Sequence, residues 1–123
     1  MKQDSRQTTA GRGEEGAVAY LRDRGYRIIT RNWRCRLGEI DIVARDGETL
    51  VFVEVKSRRS SAFGTPQAAV DGRKQRKLSL VALQYLQNGR VKPGPARFDV
   101  VAVTVKDGGD EIELIRNAFD FCR

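Results

Sequence analysis

The chain has 123 residues, 40% of them hydrophobic, and a formal net charge of +7, which suits one compact domain with its own core and is too short for two ordinary ones. It contains no histidine, which excludes Ser-His-Asp and Cys-His nucleophilic systems and every His-ligated metal site. The two cysteines, Cys35 and Cys122, lack CxxC spacing, so reduced structural thiols are expected rather than a zinc site or a redox pair.

The opening "MKQDSRQTTAGRG" lacks the apolar centre of a signal peptide, and no run approaches the ~18 apolar residues of a membrane span. A cytoplasmic protein is expected, with residues 1–10 as a flexible tail and 11–123 as a single domain. "GEEGAVAYLRDRGY" places Glu14, Ala17, Tyr20 and Leu21 at helical spacing, and Gly25 suits a helix stop. "RIITRNWRC" is apolar and β-branched enough for a first strand, and residues 38–56 read as a hairpin.

Pro66 then opens a long helical stretch, broken near Asp71-Gly72, with Leu78, Val81, Ala82 and Tyr85 as its apolar stripe and Gly89 at its end. Its basic residues are expected to face away from that stripe. "VKPGPA" reads as a loop, "RFDVVAVTVK" as a buried strand, "DGGD" as a turn and "EIELI" as a last short strand. The predicted order is α, β, β, β, α, β, β. Trp33, Phe63 and Phe119 fit either core positions or interface anchors.

The positive charge is regional: residues 56–97 hold ten Lys or Arg against the single acid Asp71. Such a segment fits a face that binds a polyanion, though "RKQRK" also fits an ordinary solvated helix face.

Alternate strand residues point to opposite faces, so Glu39, Asp41 and Val43 share a face, as do Phe52, Glu54 and Lys56. With Asp46-Gly47 as a two-residue loop, Arg45 opposes Glu48, Asp41 opposes Phe52 and Glu39 opposes Glu54. Asp41 and Glu54 become diagonal neighbours, and Ile40, Ile42, Val51, Val53 and Val55 form an apolar layer on the other face. Most E-x-K tripeptides are plain solvated strand faces, but here Phe52 sits among the charges and acids gather where a strand pair favours opposite signs.

Two carboxylates ~4 Å apart repel by about 1 kcal/mol in bulk water and about 4 kcal/mol at an effective dielectric near 20, which favours a raised pKa or a bound cation. Oxygen ligands without His or Cys suit Mg2+ or Mn2+. Glu14 offers a third carboxylate, although an acid in a first helical turn also simply favours the helix dipole.

The segments "GRGEEGAVAYL", "GYRIITRNWRCRLGEIDIVARDG", "LVFVEVKSR", "GTPQAAVDGRKQRKL", "RFDVVAV" and "NAF" resemble the YraN-like family of uncharacterised bacterial proteins, over about residues 11 to 121. That family is similar in turn to the restriction-endonuclease-like PD-(D/E)xK nucleases, which include archaeal Holliday junction resolvases. The resemblance implies an α/β fold with a restriction-endonuclease-like αβββαβ core, a mixed central sheet flanked by helices. It matches Asp41 to the metal-binding aspartate, Glu54 and Lys56 to the acid and lysine of the ExK element, and Glu14 to the acid on the first helix. Ile40 stands where the superfamily's name has proline, a common departure.

The implied activity is metal-dependent hydrolysis of phosphodiester bonds in DNA, branched or otherwise structured. Asp41, Glu54, the Val55 backbone carbonyl and, through water, Glu14 would hold the metal, with Lys56 orienting the attacking water. Arg58, Arg59, Arg73, Lys74, Gln75 and Lys77 would follow the phosphate backbone. Resolvase-like nucleases often act as two-fold dimers, so a homodimer is one implied arrangement. The alternative is a nucleic-acid-binding module on a nuclease fold that no longer cuts and acts with a partner. A Ser-Lys hydrolase built on Ser57 and Lys56 fails because adjacent strand residues point to opposite faces.

Overall fold

The structure, a computed structural model, describes residues 8–59, 70–88 and 91–122. It is a mixed α/β arrangement in the order α1 (Thr9–Asp23), β1 (Arg27–Cys35), β2 (Gly38–Asp46), β3 (Thr49–Arg58), α2 (Gly72–Asn88), β4 (Ala96–Thr104) and β5 (Glu111–Phe119). The five strands form one sheet in sequence order. Only the β3 and β4 pair is parallel, with α2 in the connection; the other pairs are antiparallel. This is the α, β, β, β, α, β, β order expected from the sequence, containing the αβββαβ core.

α1 begins before the stretch read as helical, because Thr8 caps it by accepting the Gly11 N–H at 2.9 Å. It ends at Gly25, whose φ of +89° suits glycine. There the Gly25 N–H donates to the Arg22 carbonyl and the Tyr26 N–H to that of Leu21, both at 3.0 Å, the paired bonds of a Schellman ending. Gly13, Ala17, Val18 and Leu21 are the buried positions of α1. Tyr20, placed in that stripe from its spacing, is half-buried and carries Arg24 over its ring.

β3 and β4 run through the middle of the sheet, which explains their nearly unbroken apolar sequences. On one face, Ile42, Val51, Val53, Val101 and Val103 pack against Ala17, Val18 and Leu21 of α1. On the other, Phe52, Phe98, Val43 and Val100 pack against Leu78, Val81 and Ala82 of α2. Phe52 is 1% exposed, so its truncation to alanine is expected to cost about 3–5 kcal/mol. Trp33 and Phe119 are half-buried and pack against this second cluster; Phe63 lies outside the described residues.

The helical stretch after Pro66 begins, as described, at Gly72. Asp71 caps it, accepting the Lys74 N–H on Oδ1 at 3.0 Å and the Gln75 N–H on its carbonyl at 2.9 Å. Pro66 and Gly89, the expected ends of that stretch, lie outside the described residues. β5 runs past "EIELI" to Phe119. A bulge lets it continue: Asn117 adopts φ of +52° and donates its N–H to Asp99 Oδ1 at 2.9 Å.

The hairpin register differs from the expected one. Asp46 pairs with Thr49 and Arg45 with Leu50, so Gly47 and Glu48 form the loop, with Gly47 at φ +61°. Asp46 stays in the strand because its Oδ2 accepts from Arg97 at 2.8 Å and from Arg116 at 2.7 Å. The face assignment of Asp41, Val43, Phe52 and Glu54 survives, but Asp41 now falls opposite Glu54 rather than Phe52. Ile40 is a second correction: it packs with the α2-side cluster, not with Ile42 and Val53. Pairing of β2 with β3 stops at Ile42 and Val53 while β2 stays paired with β1 as far as Gly38; alternation breaks where Asn32 of β1, opposite Asp41, takes φ of +55°.

Candidate functional site

Where β2 and β3 stop pairing, the Val55 N–H needs another acceptor, and Asp41 Oδ2 takes it at 2.8 Å. Glu54, only 7% exposed, lies beside it. Asp41 is half-buried, and its carboxyl is pushed up to about 7, first by burial and then by the charge of Glu54. The Val55 N–H opposes that rise, and Glu39 adds to it. Two acids are therefore held against each other in a place that disfavours their joint ionisation.

α2 supplies the opposing charge. Lys74 Nζ lies 3.1 Å from Glu54 Oε2, and Lys74 and Lys77 rim a cleft of about 260 Å3 that also takes in Glu39, Asp41 and Glu54. The expectation that the basic residues of α2 all turn from the core thus fails at Lys74, one turn before the buried Leu78. Gly38 lets the two elements approach. Its φ is +150°, and a Cβ there would meet Val81 Cγ2 at 3.1 Å and Lys77 Cε at 3.3 Å.

Lys56 lies two residues beyond Glu54 along β3, half-buried, outside the lining of that cleft. Glu14 is held by β1: its Oε2 accepts from Arg31 Nε at 3.1 Å and from Asn32 Nδ2 at 3.0 Å. In the register that pairs Arg31 with Ile42 and Trp33 with Ile40, Asn32 falls opposite Asp41. Glu14 is thus tied to the neighbour of Asp41 rather than to Asp41 itself. Arg31 and Asn32 were not singled out from sequence. The available signal was an asparagine inside a strand, a residue that tolerates the φ of +55° found there.

The basic residues divide. Arg73 and Lys77 are exposed on α2, while Gln75 is turned back to cap its own helix, donating to the Val70 carbonyl at 2.9 Å. Arg58 is half-buried at the end of β3, and Arg59 donates to Thr9 Oγ1 at 3.1 Å.

The donor set suits a hard divalent cation in chemistry: two carboxylates, a nearby backbone carbonyl at Val55, and neither His nor Cys. Among the described residues no three Asp, Glu or Cys side chains form a ready metal cluster. Mg2+ is commonly held by one or two carboxylates plus waters and substrate phosphate, so the pair fits it without a third protein acid.

No described helix is long and apolar enough to cross a membrane. A sequence profile of the uncharacterised protein family UPF0102 matches residues 13–103. The chain is 58% identical over 108 residues to a UPF0102 protein of Syntrophus aciditrophicus, covering 88% of this chain and 85% of that one. A UPF0102 protein of Geotalea uraniireducens is 49% identical over 124 residues, covering 98% of each. One from Geobacter sulfurreducens is 54% identical over 110 residues, covering 89% of this chain and 86% of its own. With a profile spanning most of the chain and relatives this similar along nearly its whole length, the protein belongs to the UPF0102 family.

Proposed function

We propose that the protein is a Mg2+- or Mn2+-dependent endonuclease that hydrolyses phosphodiester bonds in DNA, with branched or structured DNA as its substrate class. The observation that carries this reading is the Asp41 and Glu54 pair, forced together at the strand divergence and facing cationic side chains from α2. A structural pair would gain more from opposite signs. The likeness of "EIDIV" and "VEVK" to the PD-(D/E)xK pattern supports it independently.

Asp41 and Glu54 would hold the metal, with the Val55 carbonyl as a further ligand and Glu14 contributing through water. Such an ion, when bound, supplies charge stabilisation at the phosphate and acidifies a water. Lys56, on the same strand face, positions that water and neutralises phosphate charge. Lys74 moves from Glu54 to phosphate oxygen, since a divalent cation removes the need for an ammonium there. Arg73 and Lys77 follow the backbone without reading bases. Arg58, Arg59 and Gln75 keep a lesser part in that contact.

The test is cleavage of labelled single-stranded, duplex, flap and four-way-junction DNA, with an RNA control, with and without Mg2+ or Mn2+. Metal-dependent cutting is expected from the wild type. Glu54→Gln and Lys56→Ala should reduce it on the order of a hundred-fold or more. Cutting that persists in both variants would remove the acid pair from the chemistry. The second reading, a binding module that does not cut, is favoured by Lys74 already neutralising Glu54. It predicts that Mg2+ leaves thermal stability unchanged and that Lys56→Ala binds DNA as the wild type does.

A further inference from the structure

A second cleft, of about 450 Å3, opens beside Trp33 and Tyr85 and shares no lining residue with the acid cleft. Its volume falls in the range of about 300–1,000 Å3 found for small-ligand clefts. Trp33 and Tyr85 meet edge to face, centroids 5.1 Å apart and planes at 82°, so they form perpendicular walls rather than a closed stack. Ile29, 43% exposed, and Val91 add apolar lining. Arg45 and Lys92 stand at this cleft and also line an adjoining one with Arg27. None of these three cations forms an ion pair among the described residues. Arg45 donates one N–H to the Glu48 carbonyl at 3.1 Å.

We propose that this cleft holds one unstacked nucleotide of a nucleic-acid strand, its base against Trp33 and Tyr85 and its phosphate on Arg45 and Lys92. Aromatic walls with cations beside them are the two parts such a site needs: stacking that tolerates any base, and charge for the phosphate. The position along α2 favours a strand over a free molecule. Lys74 at the acid cleft and Tyr85 at this one are eleven residues apart on one helix, about 16 Å at 1.5 Å per residue. That equals about five B-form steps of 3.4 Å, so a strand crossing the acid pair reaches the aromatic cleft. It follows, resting on the nuclease reading, that the preferred substrate carries an unpaired nucleotide a few steps from the cut, as flaps and branch points do.

Trp33 is the only tryptophan in the chain, so its emission reports on the cleft directly. The full chain is titrated in chelator with a thymidine octamer, an abasic octamer of equal charge, thymidine monophosphate and inorganic phosphate. Binding of the oligomers is measured separately by anisotropy of a labelled octamer and by its displacement. Expected is saturable quenching by the thymidine octamer, little quenching by the bound abasic octamer or by phosphate, and on the order of ten-fold weaker quenching in Lys92→Glu. Lys92 is exposed, so that variant should fold; an unchanged melting temperature checks it.

An octamer that binds without altering Trp33 emission, or an abasic octamer that quenches equally, overturns the proposal. Quenching by thymidine monophosphate as tight as by the octamer overturns the strand assignment and gives the cleft to free nucleotides. Quenching without any cutting sinks the nuclease reading alone, and cutting without quenching sinks the cleft alone.

Discussion

Asp41→Asn is expected to stabilise the metal-free protein at about pH 8.5 although it deletes a candidate catalytic acid. In the fold the Asp41 carboxyl is pushed from its ordinary 3.8 to about 7. The folded state therefore holds the proton more tightly than the unfolded one. That contribution to stability is complete below about 3.8 and is lost as pH rises through about 7. Between about pH 5 and pH 7 the loss is two pH units at 1.36 kcal/mol each, or ~2.7 kcal/mol. Asparagine keeps the oxygen that accepts the Val55 N–H at 2.8 Å, offers an amide donor to Glu54 and carries no charge. The variant's advantage over the wild type should therefore grow by about 2–3 kcal/mol between pH 5 and pH 8.5. Urea unfolding in chelator reads this as a midpoint difference between variant and wild type that widens by roughly 1–2 M from pH 5 to pH 8.5. Equal midpoints at both pH values, or a wild type that is the more stable near pH 8.5, would refute the strained acid pair. Adding Mg2+ near pH 8.5 should then raise the wild-type midpoint and leave the variant's unmoved.

Tyr26→Phe removes the hydroxyl that donates to the fully enclosed Asp99 at 2.7 Å, and thermal unfolding should show a loss of about 1–3 kcal/mol. A cost near zero would mean that Arg97 and the Asn117 N–H together satisfy that carboxylate. Gly13→Ala puts a methyl onto Ser57 Oγ and within 2.7 Å of its Cβ, a destabilisation of about 1–3 kcal/mol. Ser57→Gly in the same chain should recover at least half of it, and strict additivity of the two changes would mean that Gly13 of α1 does not touch Ser57 of β3. Arg73→Ala and Lys77→Ala should each lower the slope of log K against log salt for DNA binding by about 0.7–0.9, uniformly across sequences. A slope unchanged in both variants would move the phosphate path off α2.

The element order and the two helix-facing layers were legible because they follow from periodicity, and the strands of β3 and β4 announce their burial by composition. The hairpin register was not. "ARDGET" offers Asp46-Gly47 as the obvious loop, and what keeps Asp46 in the strand is an ion pair with Arg97 and Arg116, 51 and 70 residues away. Ile40 escaped for a related reason: alternation predicts its face only in a regular ladder, and the pairing with β3 stops at Ile42, four residues short of the strand's start at Gly38. Among the site residues, Asp41 and Glu54 were found from their face, whereas Lys74 was found as a cation and not as the partner of Glu54. Charge patterning shows that a helix is basic; it does not show which lysine tilts inward.

Two acids in apolar strand sequences make the distinction between structure and function concrete. "FDV" at Asp99 and "IDI" at Asp41 read alike, each a lone carboxylate in a buried strand. Asp99 is 0% exposed and saturated with donors. Its Oδ1 accepts from Arg97 Nε and the Asn117 N–H, both at 2.9 Å, and its Oδ2 from the Tyr26 hydroxyl at 2.7 Å and from Arg97 at 3.2 Å. A buried charge so paired holds β4, β5 and the start of β1 together and leaves nothing for a ligand. Asp41 receives one backbone N–H and otherwise faces a second acid. Its remaining acceptor capacity points into an open cleft rimmed by lysines. Enclosure alone therefore does not mark the functional acid, since the more enclosed of the two is the structural one. What marks it is a carboxylate that the fold has brought out of water and left for something else to satisfy.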